Sequence, residues 1–205
     1  MKLLFLSLLL FITAATAAKD YTTNVSYHKA KKDRINSKPN PIKFDYLSLG
    51  PVKENPLRQL NYSDSYLVGQ YKVQASNLKG TSKKLLFSGP SSIPLRSGLI
   101  RMAVKDEVFN MKTVEVGCSG KKVGGKKATI PCVIEISGRR ISTGNEAYKQ
   151  VKYTNTNKML KVNLEDDFWS LQLLSFRVTA AGKDGEVNDD VTLLLDSFNY
   201  SVGKE

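Results

Sequence analysis

The sequence predicts an all-β protein, a sandwich or barrel standing behind a leader and a basic arm. From Ile42 onward, short runs of Val, Ile, Leu, Tyr and Phe alternate with clusters of Gly, Asn, Asp, Ser and Lys, the punctuation of a many-stranded β-domain. Several of these runs alternate apolar and polar residues with a period of two: Val114 and Val116; Ile134 and Ile136; Leu160, Val162 and Leu164; Leu174, Phe176 and Val178. No eleven-residue stretch carries a convincing helical period, and there is no internal repeat.

In chain order, Met1-Lys2 is a short basic start. Leu3 to Phe11 is apolar apart from Ser7, and Ala14-Ala15-Thr16-Ala17-Ala18 is small throughout. Residues 1–18 therefore read as a secretory signal peptide, the apolar core being shorter than the roughly 20 residues that span a bilayer. The expected location is secreted and extracellular, with no membrane span. Residues 19–41 are polar and carry Lys19, Lys29, Lys31, Lys32, Arg34 and Lys38 before Pro39-Asn40-Pro41. Such a stretch buries too little apolar surface to offset its ordering entropy, so it reads as a flexible basic arm. Its Lys31-Lys32-Asp33-Arg34 segment fits a solvated linker, a dibasic cleavage site or a basic nuclear-import pattern.

The domain proper is expected over residues 42–203. Gly138-Arg139-Arg140 reads as a turn after one strand, and Asp184-Gly185 as a strong turn after another. Asn188-Asp189-Asp190 leads into a last strand from Val191 to Val202, nearly continuous in apolar residues at first. In an oxidising compartment Cys118 and Cys132 are expected to pair. Closing their thirteen-residue loop is worth about 3 kcal/mol in the chain-entropy picture. Secretion also makes the sequons at Asn24, Asn61 and Asn199 meaningful.

Composition then excludes several chemistries. A single histidine, His28, rules out an HExxH zinc protease, and two cysteines rule out Cys-rich zinc modules. Gly120 to Lys127 nearly matches a nucleotide phosphate loop but has Lys127 where a Ser or Thr must hold magnesium. Its lysines, Lys121, Lys122, Lys126 and Lys127, form either an anion-binding loop or a solvated hairpin tip. Asp184 to Asp190 lacks the glycine and the final glutamate of a calcium loop. The adjacent pairs Asp166-Asp167 and Asp189-Asp190 point to opposite faces of a strand, so no separated glycosidase pair stands out and no enzyme is expected. Trp169, with Tyr148 or Tyr153 beside it, is either a platform for stacking a sugar ring or a core filler. Of the net charge of +12, the domain outside the lysine loop carries only about +2, counting 19 basic against 17 acidic residues over 44–205. A broad nucleic-acid-binding face is not expected.

Three stretches in this order resemble a group of secreted fungal proteins with a galactose-binding-like jelly roll, akin to carbohydrate-binding modules. They are Ile42-Lys43-Phe44-Asp45-Tyr46-Leu47, the Cys118–Cys132 segment running into Val133-Ile134-Glu135-Ile136-Ser137-Gly138, and Val191 to Tyr200. The resemblance covers about residues 42–203, with Tyr46 and Ser197-Phe198 departing from the usual residues. It implies a two-sheet antiparallel jelly-roll β-sandwich and a secreted, non-catalytic module for cell-wall or surface glycans. The alternative is an effector-type protein that binds a host protein and enters the nucleus through its basic arm. The related modules often hold a structural calcium, which would match Asp45 and Asp196; the other reading of these acids is ordinary strand-end hydrogen bonding. No further cofactor is implied.

Overall fold

The structure is a computed structural model that describes residues 42–53, 55, 57–79, 82–88, 97–121, 126–140, 144–154, 157–182, 185 and 190–204. These residues all belong to one unit, Asp33–Glu205. Its strands are β1 (Gly50–Pro51), β2 (Leu60–Tyr62), β3 (Tyr66–Gln70), β4 (Lys84–Ser88), β5 (Ser97–Met102) and β6 (Glu107–Lys121). After them come β7 (Lys127–Thr129), β8 (Cys132–Arg140), β9 (Glu146–Tyr153), β10 (Leu160–Asn163), β11 (Leu171–Ala181) and β12 (Thr192–Lys204). The one helix among the described residues is a single turn, α1 (Tyr71–Gln74).

Every named ladder is antiparallel. The ladders sort into two sheets. One runs β1-β3-β4-β12-β6, with β7 and β10 on the outer side of β6; the other runs β2-β5-β11-β8-β9. A single pairing, Leu171 with Phe109, joins them. This is the sandwich the alternation predicts, because each sheet turns one set of alternate residues inward. Strand β8 shows it plainly: Cys132, Ile134, Ile136, Gly138 and Arg140 are buried, and the residues between them are not.

Residues from both sheets meet in the core. Phe176 of β11 lies 6.1 Å from Phe198 of β12, centroid to centroid, and Phe44 meets Phe198 edge-on at 5.7 Å. Gly98 of β5 faces the Tyr66 ring of β3 so closely that a Cβ would lie 2.4 Å from it. The Cys118–Cys132 disulfide forms as expected and ties β6 of one sheet to β8 of the other.

The last strand is buried on both faces at its start. Leu193 and Leu195 point into the main core, whereas Leu194 packs outward against Tyr71, Ala75, Leu78 and Leu85. The chain through α1 covers that outer face, and this accounts for the unbroken Leu193-Leu194-Leu195 run.

Two expectations are corrected. The opening Ile42 to Leu47 segment, which the resemblance implies is a strand, is not one: only Ile42 makes a β-bridge, to Phe198, and the chain then turns at Asp45-Tyr46. The carboxylate of Asp45 stabilises that turn by accepting the backbone N–H groups of Lys83 and Lys84, at 2.6 and 2.9 Å. Gly138-Arg139-Arg140 is not a turn but the end of β8. Its glycine serves packing, since a Cβ there would come within 2.8 Å of the Leu171 side chain and 3.2 Å of Phe168.

Candidate binding site

The outer face of the β2-β5-β11-β8-β9 sheet gathers the polar chemistry. Residues in register across antiparallel strands share a face. One row runs Asn61–Arg101–Leu173–Arg139–Glu146 across all five strands. The next runs Leu99–Ser175–Ser137–Tyr148, and a third carries Arg177, Glu135 and Gln150.

Tyr148 is 56% exposed, the largest open ring of this face. Its hydroxyl donates to Glu135 Oε1 at 2.9 Å, and Arg177 grips the other oxygen of the same carboxylate. The Arg177 guanidinium, and then the Tyr148 hydroxyl, hold the Glu135 carboxyl below its ordinary range. The same bond to Glu135 raises Tyr148 above the usual phenol value. Ser137 and Ser175 hydrogen-bond to each other through their hydroxyls at 2.6 Å beside this trio.

At the end of the face, where β5 and β8 finish and β11 begins, lies a cavity of about 420 Å³ lined by Arg101, Lys105, Arg139, Arg140, Gln172 and Leu173 among others. Arg140 is 8% exposed. Its Nη2 donates to the Asp167 carbonyl at 2.5 Å, and the guanidinium lies 4.3 Å from the centroid of the Trp169 ring. Its Nε is buried with no acceptor.

Local structure sets the tryptophan in place. Phe168 is anchored in the core and closes a turn through its N–H to the Leu164 carbonyl at 3.0 Å. Ser170, at φ +50°, then swings the chain into β11, its N–H bonded to Asn110 Oδ1 at 2.7 Å.

Of the three rings predicted as sugar platforms, only Tyr148 is open. Trp169 is half-buried, with one face taken by Arg140. Tyr153 is corrected: it is 2% exposed, and its hydroxyl is spent on the Lys158 carbonyl, so it offers no ring face to a ligand.

The lysine loop is not where the structure shows a basic cavity. Lys127 Nζ is bonded to Thr192 Oγ1 at 3.1 Å, and Lys126 is exposed. Lys122 and the side chain of Lys121 lie outside the described residues, as do the signal peptide, the arm with Lys31, Lys32 and Arg34, and the Asn24 sequon. Asn61 is half-buried on β2; Asn199 is half-buried on β12, with its Oδ1 buried and unpartnered. Sequence reasoning missed Arg101, Lys105, Arg139 and Arg140. The one local signal was the Arg139-Arg140 pair at a strand end.

On the other sheet, Asp196 lies near enough to Asp45 to feel its charge. Asp196 is fully buried, its Oδ1 accepting the Ser197 N–H at 2.7 Å and its Oδ2 without a partner. Burial pushes its carboxyl up to about 6. Ser82 and the Ser197 N–H oppose the rise, and the charges of Glu115 and Asp45 add to it. Among the described residues no three His, Cys, Asp or Glu side chains cluster to hold a metal. The orphaned Oδ2 suits a cation, but one Asp45 oxygen is already committed to two main-chain N–H groups. Most of the six to eight oxygens of a calcium ion would therefore have to come from elsewhere.

No protein-family model matches the chain, and no curated protein does. Solved structures align with it over most of its length. The K2 cleaved adhesin domain of Lys-gingipain shares 10% identity at a TM-score of 0.45, over 80% of this chain and 99% of that one. The carbohydrate-binding module TmCBM61, in complex with β-1,4-galactotriose, shares 13% at 0.34, over 78% and 99%. An F5/8 type C domain from Bacteroides fragilis shares 10% at 0.36, over 70% and 97%. At these values the function of this chain has to be argued from its own residues. No helix of the described residues is long and apolar enough to cross a membrane.

Proposed function

We propose that this is a secreted, non-catalytic glycan-binding module, and that glycan lies along the outer face of β5, β11, β8 and β9. The observation that carries the reading is Tyr148: an exposed ring tethered by Glu135, which Arg177 holds in turn. An aromatic ring fixed on a strand offers apolar area at little entropic cost. The carboxylate, guanidinium and two serine hydroxyls beside it supply the directional hydrogen bonds that orient a polar ligand.

The same geometry argues against hydrolysis. The Glu135 carboxyl is held ionised by its partners, so it is unsuited to donating a proton. Glycoside hydrolysis also needs a second carboxyl placed across the bond.

The test is a glycan array and polysaccharide pull-down with wild type and Tyr148→Ala. Binding to a defined glycan that falls at least tenfold in the variant is expected. Failure of the wild type to bind any β-glucan, chitin, mannan, galactan or pectin would sink the reading.

A further inference from the structure

We infer that the cavity at the end of this face is a subsite for an oxyanion carried on a sugar ring: a uronate carboxylate, or a sulfate or phosphate ester. The inference rests on the glycan reading and names the ligand class.

Register is the first support. Leu173 of β11 is the partner of Arg101 on one side and of Arg139 on the other. Their Cα atoms are therefore about 10 Å apart across two strand spacings, with both side chains on the outer face. Two arginines at that spacing can close on one small anion from opposite sides, each presenting a fork that matches an oxyanion.

The second support is Arg140. A guanidinium stays charged at any ordinary pH, and burying it without an anion is costly. Among the described residues no carboxylate pairs with Arg140; its partners are a carbonyl oxygen and the Trp169 ring, and its Nε has none. Lys105 adds a fourth cation to the lining, which contains no acid among the described residues. The nearest acid in the row, Glu146, stands opposite Arg139 outside the lining and forms no ion pair with it. A fixed positive site is thus built into the end of a strand, with room of the size that small-ligand pockets have.

The experiment titrates full-length mature protein with polygalacturonate, the same polymer fully methyl-esterified, a sulfated glycan, a phosphomannan and neutral galactan, at 50 and 300 mM salt. The inference expects at least one anionic polymer to bind at least tenfold tighter than the neutral ones. That preference should fall at least tenfold in Arg101→Gln/Arg139→Gln and persist in Lys126→Gln/Lys127→Gln, with all variants checked for a wild-type melting curve. Which anionic polymer wins separates carboxylate from sulfate from phosphate. Binding of the neutral and esterified polymers as tight as that of every anionic one overturns the subsite and leaves the glycan reading standing. A preference lost equally in the lysine variant overturns it too, because that is general charge attraction. Binding of no polymer overturns both.

Discussion

Arg140 and Asp196 are both buried charges without an ionic partner, on opposite sheets, and they respond to that predicament differently. Asp196 can escape by taking a proton, which is why burial moves its carboxyl up to about 6. Arg140 cannot shed its charge, so the structure wraps it in a carbonyl bond and an aromatic face and leaves it beside an open cavity. The contrast separates a charge that pH can remove from one that it cannot. A buried acid is relieved by solution pH; a buried guanidinium keeps its charge at every ordinary pH and depends on the groups around it.

The largest expected effect comes from removing the acid. A carboxyl whose folded value lies above its unfolded value stabilises the fold while it is protonated, and that stability is lost as pH rises towards about 6. Asp196→Asn should therefore gain up to about 3 kcal/mol at pH 7.5 and almost nothing at pH 4, read from urea unfolding. The same experiment tests the cation reading. If calcium raises the wild-type melting temperature at pH 7.5 and Asp196→Asn instead loses stability, a bound cation is holding the ionised acid.

Next in size is the arginine. Arg140→Met swaps a buried charge for an apolar side chain of similar length and should stabilise the ligand-free protein by about 1 kcal/mol. Oxyanion binding should vanish in the same variant; a clear loss of stability would mean that Arg140 is a structural brace. The stack on Trp169 should show a coupling of about 1 kcal/mol in an Arg140→Met, Trp169→Leu double-mutant cycle, again by urea unfolding.

The smallest effect belongs to an uncharged orphan. The Tyr66 hydroxyl is buried with no partner, and burial carries its ionisation far above the ordinary phenol value. Tyr66→Phe should keep the ring against Gly98 and raise stability by no more than about 1 kcal/mol. A loss would mean that the hydroxyl is hydrogen-bonded in solution.

Much of the sandwich could be read from the chain because alternation is local. Val114 and Val116, Ile134 and Ile136, and Leu174, Phe176 and Val178 all point inward as predicted. The disulfide followed from two cysteines and the expected secretion. The site was much less legible. Arg101 and Arg139 share a row only because β11 lies between their strands, and register across three strands is a property of long-range pairing. Arg140 looked like a surface residue in a turn; it falls on the buried side of the β8 alternation, and its guanidinium lies over a tryptophan well downstream. The lysine loop misled for the opposite reason. Charges adjacent in sequence read either as an anion-binding loop or as a solvated tip; Lys127 is tied to Thr192, and the basic cavity lies elsewhere. Overall charge hid this, since a domain near +2 outside its loop can still concentrate four cations in one place.

The placement of Asn61 bears on how the protein should be made. Its strand borders β5, and it stands directly opposite Arg101, in the same row as Arg139. A host that glycosylates this sequon would plant a bulky polar chain beside the cavity mouth, whereas bacterial material would leave it bare. Two preparations of one sequence would then differ in apparent specificity, and Asn61→Gln from both hosts is the control that brings them back into agreement.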